Sequence, residues 1–528
     1  MSDQPGGLRI AIRTDGSHGI GSGHVMRCLT LADALAARGA VVEFVSRLHT
    51  GHLCDMMEER GYMVHRLAEP ALLFNASASH PPAHWQWLGA DASVDVAQTA
   101  ACLLTDSAWD WLVVDHYAIE SAWESAFLQA HQDRFGSKPR LLVIDDLADR
   151  PHCCNILLDQ NLQPSGRYTP LVPRDCQTLL GPHFALLRPA FSRQRTDTRS
   201  AHASRKGVLL YFGGSDAQDM TLQALEAFAA VTPHDMVAIV VVSAACPTLE
   251  SIRLLAQDLG DRCQLHVGIA DMAFLMRQCR IAVGAAGSTT WERFSLGLAS
   301  ILVSVADNQI AVAMAVAEAG AAMYLGRAGH LGQPLRNALA SLLDQPLLES
   351  ALRNAAMALC DGKGTDRVVR QMLQAAITLR PAGPNDARML FEWRNSPPVR
   401  AASFESGELE WDSHLAWMQQ SLANPQRHLL VAQANGQDCG CVRFDTHADH
   451  AVISVYLAPQ FLQLGLGSAV IATGSRWLFD TVPAAGYVSA EVMPANQASL
   501  RAFERAGFLP DRHRLRYTRA VVPSSSTA

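Results

Sequence analysis

At 528 residues, with 49% hydrophobic and 18% charged side chains and a mean hydropathy of +0.06, the chain reads as an ordinary soluble globular enzyme too long for one core. A net charge of −7 and a pI near 6.3 leave no electrostatic footprint for nucleic acid, so an anionic substrate has to be held by local groups. The twelve cysteines have no metal-ligand spacing, Cys153-Cys154 and Cys439-x-Cys441 being the close pairs, and the most apolar run, Met236 to Cys246, is far short of the ~20 residues of a membrane span. Met1 to Pro5 shows neither a basic nor an apolar leader pattern, so the expected location is the cytoplasm, with free and mostly buried thiols.

An apolar strand at Leu8 to Ile12 runs into Arg13-Thr14-Asp15-Gly16-Ser17-His18-Gly19-Ile20-Gly21-Ser22-Gly23-His24-Val25-Met26-Arg27, and a helix with Val25, Leu29, Ala32 and Leu35 on one face follows to Gly39. Glycines in such a strand, loop and helix let a ligand approach free N–H groups. His24 stands at the helix start, a place that favours the neutral imidazole a general base must be. The same spacing fits a capping histidine beside a tight turn, and spacing alone does not choose.

Helix and strand signals then alternate. Trp111 to Asp115, Leu141 to Asp146 and Ile156 to Asp159 are apolar runs ending in acids, as buried parallel strands do where they open onto a crevice. Arg193 to Lys206 is polar and is expected to be a linker. A second α/β unit follows, with a strand at Val208 to Phe212, a turn at Gly213-Gly214-Ser215-Asp216 and a helix from about Met220 to Ala230. Ile281 to Glu292 resembles the glycine turn of nucleotide-sugar enzymes, which implies that Ser288 and Thr289 offer donors to phosphate and that Glu292 accepts from ribose hydroxyls. By its place on the first helical turn alone, Glu292 equally offsets the helix dipole. Asp307-Asn308-Gln309 follows a strand at Ile301 to Val305, and the unit closes with Asp361-Gly362-Lys363-Gly364 and a helix to about Ile377.

The run Arg13-x-Asp15…Ile20-Gly21-x-Gly23-His24-x-x-Arg27 resembles the opening motif of the UDP-2,4-diacetamido-2,4,6-trideoxy-β-L-altropyranose hydrolases of pseudaminic acid biosynthesis. Asp115-His116-Tyr117, the crossover Leu180 to Phe191 and the turn Gly213 to Asp216 are similar to later motifs of that family; Trp87-Leu88-Gly89 matches bacterial members without an assigned role. The resemblance implies a glycosyltransferase-B-type fold of two Rossmann-like lobes. It places His24, Asp15 and Tyr117 in the catalytic set, and Arg13, Gly21, Gly23, Arg27, Gly213, Gly214, Ser215, Ser288, Thr289, Glu292 and Asn308 around a UDP-sugar. No metal is expected.

From Leu379-Arg380-Pro381-Ala382 onward the pattern changes. With Asp386, Trp393-Arg394-Asn395, His414-x-x-Trp417, Gly465-Leu466-Gly467-Ser468 and Asn496…Phe503…Gly507-Phe508, it resembles GNAT acetyltransferases, particularly those acting on UDP-4-amino-4,6-dideoxy-N-acetyl-β-L-altrosamine. The resemblance implies acetyl-CoA as acyl donor, held by the strand bearing Val455 and Leu457, by Gly465, Gly467 and Ser468, and by Asn496 and Phe503. Leu462 and Gln463 stand where members carry Arg or Gln and a Gly, and Phe503 stands where many place a protonating tyrosine.

The expected fold class is therefore α/β, with lobes over 1–200 and 201–377, a GNAT domain over 378–520 and a disordered tail over 521–528. The expected partners are a UDP-sugar and acetyl-CoA, with neither nucleic acid nor membrane. Hydrolysis, glycosyl transfer through the same cleft, and a non-catalytic nucleotide-sugar platform are the three readings that the sequence leaves open.

Overall fold

The computed structural model describes residues 8–70, 82–164, 166–201, 205–213, 216, 218–268, 271–375, 377–434, 437–462 and 465–510, with backbone alone at 196–201 and 374–375. The chain divides into two compact units, Met1–Val369 and Arg370–Ala528. This division falls inside the helix Gly364–Ala375, a few residues ahead of the boundary expected at 377.

The first unit contains two parallel sheets. Strands β1 (Arg9–Thr14), β2 (Val41–Arg47), β3 (Met63–Leu67), β4 (Trp111–Asp115), β5 (Arg140–Ile144), β6 (Ile156–Asp159) and β7 (Gln177–Leu180) lie in the order β3-β2-β1-β4-β5-β6-β7. Strand order reverses between β1 and β4, whose ends are level, with Thr14 opposite Asp115. The loops leaving these two strands therefore flank a crevice.

The second sheet repeats the scheme with β8 (Gly207–Tyr211), β9 (Val237–Val242), β10 (Cys263–Val267), β11 (Cys279–Ala285), β12 (Ala299–Ser304) and β13 (Ala322–Arg327), ordered β10-β9-β8-β11-β12-β13. Both of its faces are covered: Leu209, Ile239, Val241 and Leu302 pack on one side, and Val208, Leu210, Val240 and Val283 on the other. That double burial is why these strands are continuous apolar runs without alternation. Two Rossmann-like lobes of this kind form the glycosyltransferase-B-type arrangement.

The stretch expected to be a linker is largely helical, since a helix spans Pro189–Ala201. Its polar side chains serve tertiary contacts. Arg195 donates to the carbonyls of Ser295 at 3.1 Å, Cys360 at 2.6 Å and Met357 at 2.7 Å, groups at the ends of two other helices. Arginine and glutamine are also good helix formers, so low apolar content there reflects a solvated helix. The helix Gly364–Ala375 returns to the first lobe, where Thr365 Oγ1 donates to Leu187 O and Arg367 Nη1 to His183 O, both at 2.8 Å. A Cβ at Gly364 would stand 2.3 Å from Ala185 O, so this close approach requires glycine.

The second unit is a five-stranded sheet of β14 (Ile377–Pro381), β15 (Arg427–Ala434), β16 (Gln437–Thr446), β17 (His450–Leu457) and β18 (Tyr487–Ala490), in chain order. Its first three pairs are antiparallel and the last, β17 with β18, is parallel. The expected tail over 521–528 lies outside the described residues. Among those described, no helix is long and apolar enough to cross a membrane, and no group of three or more His, Cys, Asp or Glu is placed to hold a metal ion. All twelve cysteines are free.

Candidate active site

The loop after β1 folds back on itself: Gly21 N–H donates to Ser17 O at 2.8 Å and Ile20 N–H to Ser17 Oγ at 2.9 Å. Gly21 makes this turn with a φ of 84°, a left-handed value that favours glycine. The fold delivers Gly23 and His24 to the rim of a cleft of about 220 Å³ between the two lobes, lined also by Ile20, Arg27, Tyr117 and Asp146.

Within the cleft wall, His24 Nδ1 lies 2.6 Å from Asp115 Oδ1. A carboxylate at that distance requires the proton on Nδ1, so the neutral ring presents a lone pair at Nε2. Arg27 Nη2, 3.2 Å from the same Nδ1, is then a neighbour and donates to Asp115 Oδ1 at 2.7 Å instead, while its Nε donates to Oδ2 at 2.6 Å. Burial pushes the Asp115 carboxyl up, but Arg27 and His24 override it and hold the group well below the usual carboxylate range. The dyad is thus a permanently charged Asp115 orienting His24.

Tyr117 packs edge-on against His24, with ring centres 4.6 Å apart, and donates its hydroxyl to Asp146 Oδ1. Burial, then the charge of Asp146, pushes its phenol well above the ordinary value, so it stays a neutral donor. Trp87 stacks on Tyr117 at 5.7 Å, and His84 stands 4.4 Å from Trp87. The segment without assigned chemistry thus builds the aromatic wall beside the dyad.

Arg13 and Asp15 are placed elsewhere. Both are wholly buried behind the rim and pair with each other at 2.6 Å, and neither lines the cleft. Arg13 also meets Asp95 at 2.8 Å, and Asp15 accepts from Arg47 N–H at 2.7 Å and faces His116 Nε2 at 3.1 Å. Burial opposes the Asp15 charge, and Arg13, His116 and His49 override it, holding the carboxyl well below its usual range. This cluster braces the roots of β1, β2 and β4. Asp95, its central acceptor, sits in the first turn of the helix Ala92–Leu103, where an acid reads as dipole compensation and gave no further sequence signal.

From the second lobe, Gly287, Ser288, Asn308 and Gln309 line the cleft. Thr289 and Glu292 stand just behind Ser288 in the helix Thr289–Ser295 and are not among the lining residues. Burial pushes Glu292 up to about 7, against the pull of Arg188, 3.9 Å away, and Arg293. Gly213 turns with a φ of 100° and does not line the cleft; Gly214 and Ser215 lie outside the described residues. The first N–H groups of the next helix are already met, because Asp216 accepts from Met220 at 3.1 Å and Thr221 at 2.9 Å.

In the second unit β17 pairs with β18 from His450 to Ile453, and Ser454 to Leu457 continue without a β18 partner while still paired to β16. The two parallel strands therefore split at Val455 and Leu457, and the split strand carries backbone groups free to meet an extended ligand. Gly465 turns with a φ of 78° ahead of the helix Gly467–Thr481, in whose first turn Ser468 is buried. Asn496 Oδ1 accepts from Ser499 N–H at 3.1 Å and caps the helix Gln497–Arg505, and Phe503 packs on Phe508 at 5.0 Å. Leu462 is half-buried, and Gln463 lies outside the described residues.

Residues 376–509 match the acetyltransferase (GNAT) domain family. Over 316 residues the chain is 24% identical to UDP-2,4-diacetamido-2,4,6-trideoxy-β-L-altropyranose hydrolase of Campylobacter jejuni, covering 59% of this chain and 97% of that protein. It is 29% identical over 191 residues to the spore coat polysaccharide biosynthesis protein SpsG of Bacillus subtilis, 36% of this chain and 56% of that one. A likeness to the crystal structure of Acinetobacter baumannii MurG has a TM-score of 0.49 at 16% identity, over 69% of this chain and 99% of that one. The chain is a fusion: a two-lobed α/β unit resembling a nucleotide-sugar hydrolase precedes a GNAT acetyltransferase domain.

Proposed function

We propose that the first unit hydrolyses UDP-2,4-diacetamido-2,4,6-trideoxy-β-L-altropyranose and that the second acetylates the 4-amino group of its UDP-sugar precursor, two consecutive steps toward a nonulosonic acid of the pseudaminic type. The observation that carries the hydrolytic reading is the Asp115–His24 pair in the cleft wall, with Nε2 free. His24 Nε2 takes a proton from water as the oxygen attacks the anomeric carbon, the bond from that carbon to the diphosphate oxygen breaks, and UDP leaves with inversion. Asp115 stabilises the imidazolium that forms, and Arg27 keeps Asp115 ionised.

In this reading Ser288 and Thr289 receive the diphosphate with the Gly213 to Ser215 turn, Glu292 takes the ribose, and Asn308 closes on the nucleotide. Gly21 and Gly23 let the sugar approach the backbone, and Tyr117 faces the ring. Arg13 and Asp15 act through the strands they brace, as positioning residues. In the second unit, the split strand at Val455 and Leu457 holds the pantetheine of acetyl-CoA, Gly465, Gly467 and Ser468 its pyrophosphate, and the helix capped by Asn496 and carrying Phe503 the far wall. Phe503 has no ionisable proton, so the departing thiolate is protonated by water or by another side chain. Similarity to the Campylobacter enzyme over nearly its whole length, and the GNAT match, support the pairing.

The test is incubation of the full chain with the candidate UDP-sugars and acetyl-CoA, followed by mass spectrometry. Acceptor-independent release of UDP with a free diacetamido sugar is the expected result. Release only after a hydroxyl acceptor is added would make the first unit a glycosyltransferase, and no turnover would leave a binding platform.

A further inference from the structure

Two amide side chains in the cleft have their direction fixed by what holds their oxygens. Gln160, directly after β6, is 3% exposed, and its Oε1 accepts from the Leu186 N–H at 3.1 Å. Asn161, next in the chain, has its Oδ1 3.2 Å from the indole Nε1 of Trp291. A backbone N–H and an indole N–H are donors only, so each must meet an amide oxygen, and the orientation of both amides follows. Both residues line the cleft, and the end of each amide left for a ligand is its NH2 group.

Solvent meets these donors in the open cleft, and a ligand that covers them has to bring an acceptor, since an N–H left unmet on burial is costly. The carboxylate of Asp146, in the same cleft, is already engaged by the Tyr117 hydroxyl and by Arg27 Nη1 at 3.2 Å. Gln160 and Asn161 stand on the lobe that carries His24, whereas the Gly287–Ser288 turn stands on the other. Asn161 also reaches the second lobe through Trp291, in the helix that follows Ser288, so the amides stand where the lobes meet and a ligand running from the Gly287–Ser288 turn toward His24 passes over them.

We propose that Gln160 and Asn161 form the subsite that selects an N-acetylated nucleotide sugar, donating to an acetamido carbonyl. The inference rests on the UDP-sugar reading of the cleft and names the residues that set its substrate class. A sugar bearing a free ammonium brings donors to the NH2 ends of the two amides, which then lose their acceptor, and has to compete with the Tyr117 hydroxyl and Arg27 for the Asp146 carboxylate.

Gln160→Glu and Asn161→Asp test this, because each keeps the oxygen that accepts from Leu186 or Trp291 and replaces the NH2 by an oxygen of similar shape. Calorimetry on the full chain at pH 8, above the value of about 7 to which burial pushes the neighbouring Asp159, gives affinities for UDP, for the diacetamido UDP-sugar and for its 4-amino counterpart, in a His24→Asn background that slows turnover. The expected result is UDP affinity unchanged and the preference for the acetylated sugar over the amino sugar reduced by about tenfold or more in each variant. An unchanged preference overturns the proposal, as does a loss shared equally by UDP and both sugars, which would turn the donors toward the diphosphate. Should Asn161→Asp fail to melt cooperatively, Gln160→Glu decides alone. The readout is affinity, so absence of UDP release from the parent chain would count against hydrolysis and leave this test standing.

Discussion

Asp115 determines what His24 can do. Its carboxylate accepts from the ring at one oxygen and from Arg27 at both, so the histidine is held in one tautomer and one orientation. Replacing His24 with Asn is expected to remove most UDP release, a loss on the order of 10²-fold or more, with UDP affinity nearly intact in a binding titration. Asp115→Asn should cost on the order of 10²–10⁴-fold in kcat, since its amide can offer the ring a donor and permit the wrong tautomer. Near-parental turnover in either folded variant would remove the dyad from the mechanism. Glu292 makes a separate, pH-dependent case. Its folded value is raised from 4.5 to about 7, so the free protein holds a proton there that the unfolded chain releases lower, and the stability this group confers is lost as pH rises toward 7. Ribose hydroxyls call for the ionised form, so binding UDP at pH 6 must displace that proton. UDP affinity is expected to rise from pH 6 to 8, and Glu292→Gln, compared over the same range so that titration of UDP itself cancels, should flatten the excess. Glu292→Ala should cost roughly 1.5–3 kcal/mol of UDP binding at pH 8, as a charge-assisted hydrogen bond does. An effect on melting temperature alone would return Glu292 to a dipole-compensating role.

At the scale of elements, Asn496 separates a structural role from a ligand-binding one. Its oxygen caps the helix Gln497–Arg505, and its nitrogen donates to Ala402 O at 3.3 Å, so both ends of the amide are engaged within the unit. Asn496→Ala is expected to destabilise the second unit by about 1 kcal/mol, read by denaturant melting, while Asn496→Asp retains the cap and most of that stability. A collapse of CoA affinity in a folded Asn496→Asp chain would instead place the amide on the coenzyme. The same element shows why parts of the chain were legible before the structure: an Asn ahead of a helix has a local physical meaning, as do apolar runs such as Val237–Val242 buried on both faces and the glycines that let β1 turn into its helix. Arg193 to Lys206 looks like a linker by composition because Arg195 finds its acceptors a hundred residues or more away, beyond what composition reports. Gln160 and Asn161 carried no periodic signal either; only their place at the end of a strand in this topology turns two ordinary amides into a lining for the cleft. Trp87 was visible as a motif, but its stacking on Tyr117 across about thirty residues depends on the order of β3, β1 and β4.

For the whole molecule the question is what the fusion adds. The first compact unit has two sheets and the second one sheet, each with buried clusters of its own, so each unit holds the material of an independent fold. Cutting the chain at 376, ahead of β14, is expected to give two pieces that melt cooperatively, the first binding UDP and the second binding CoA. Tethering raises the local concentration of one unit's product near the other, to the millimolar range for short linkers, but creates no chemistry. Under the proposed function, the order of the two reactions comes from the cleft, where the Gln160 and Asn161 donors suit an acetamido carbonyl better than an ammonium. The full chain supplied with the 4-amino UDP-sugar should therefore release little UDP until acetyl-CoA is added, and then release UDP together with a diacetamido sugar. Mixed pieces should do the same, more slowly at low micromolar concentration and at nearly the parental rate once the intermediate accumulates. Equal rates of UDP release with and without acetyl-CoA would show that acetylation is not what admits the sugar to the first unit. A CoA-silent 377–528 piece that still melts cooperatively would remove the acetyl donor from the second.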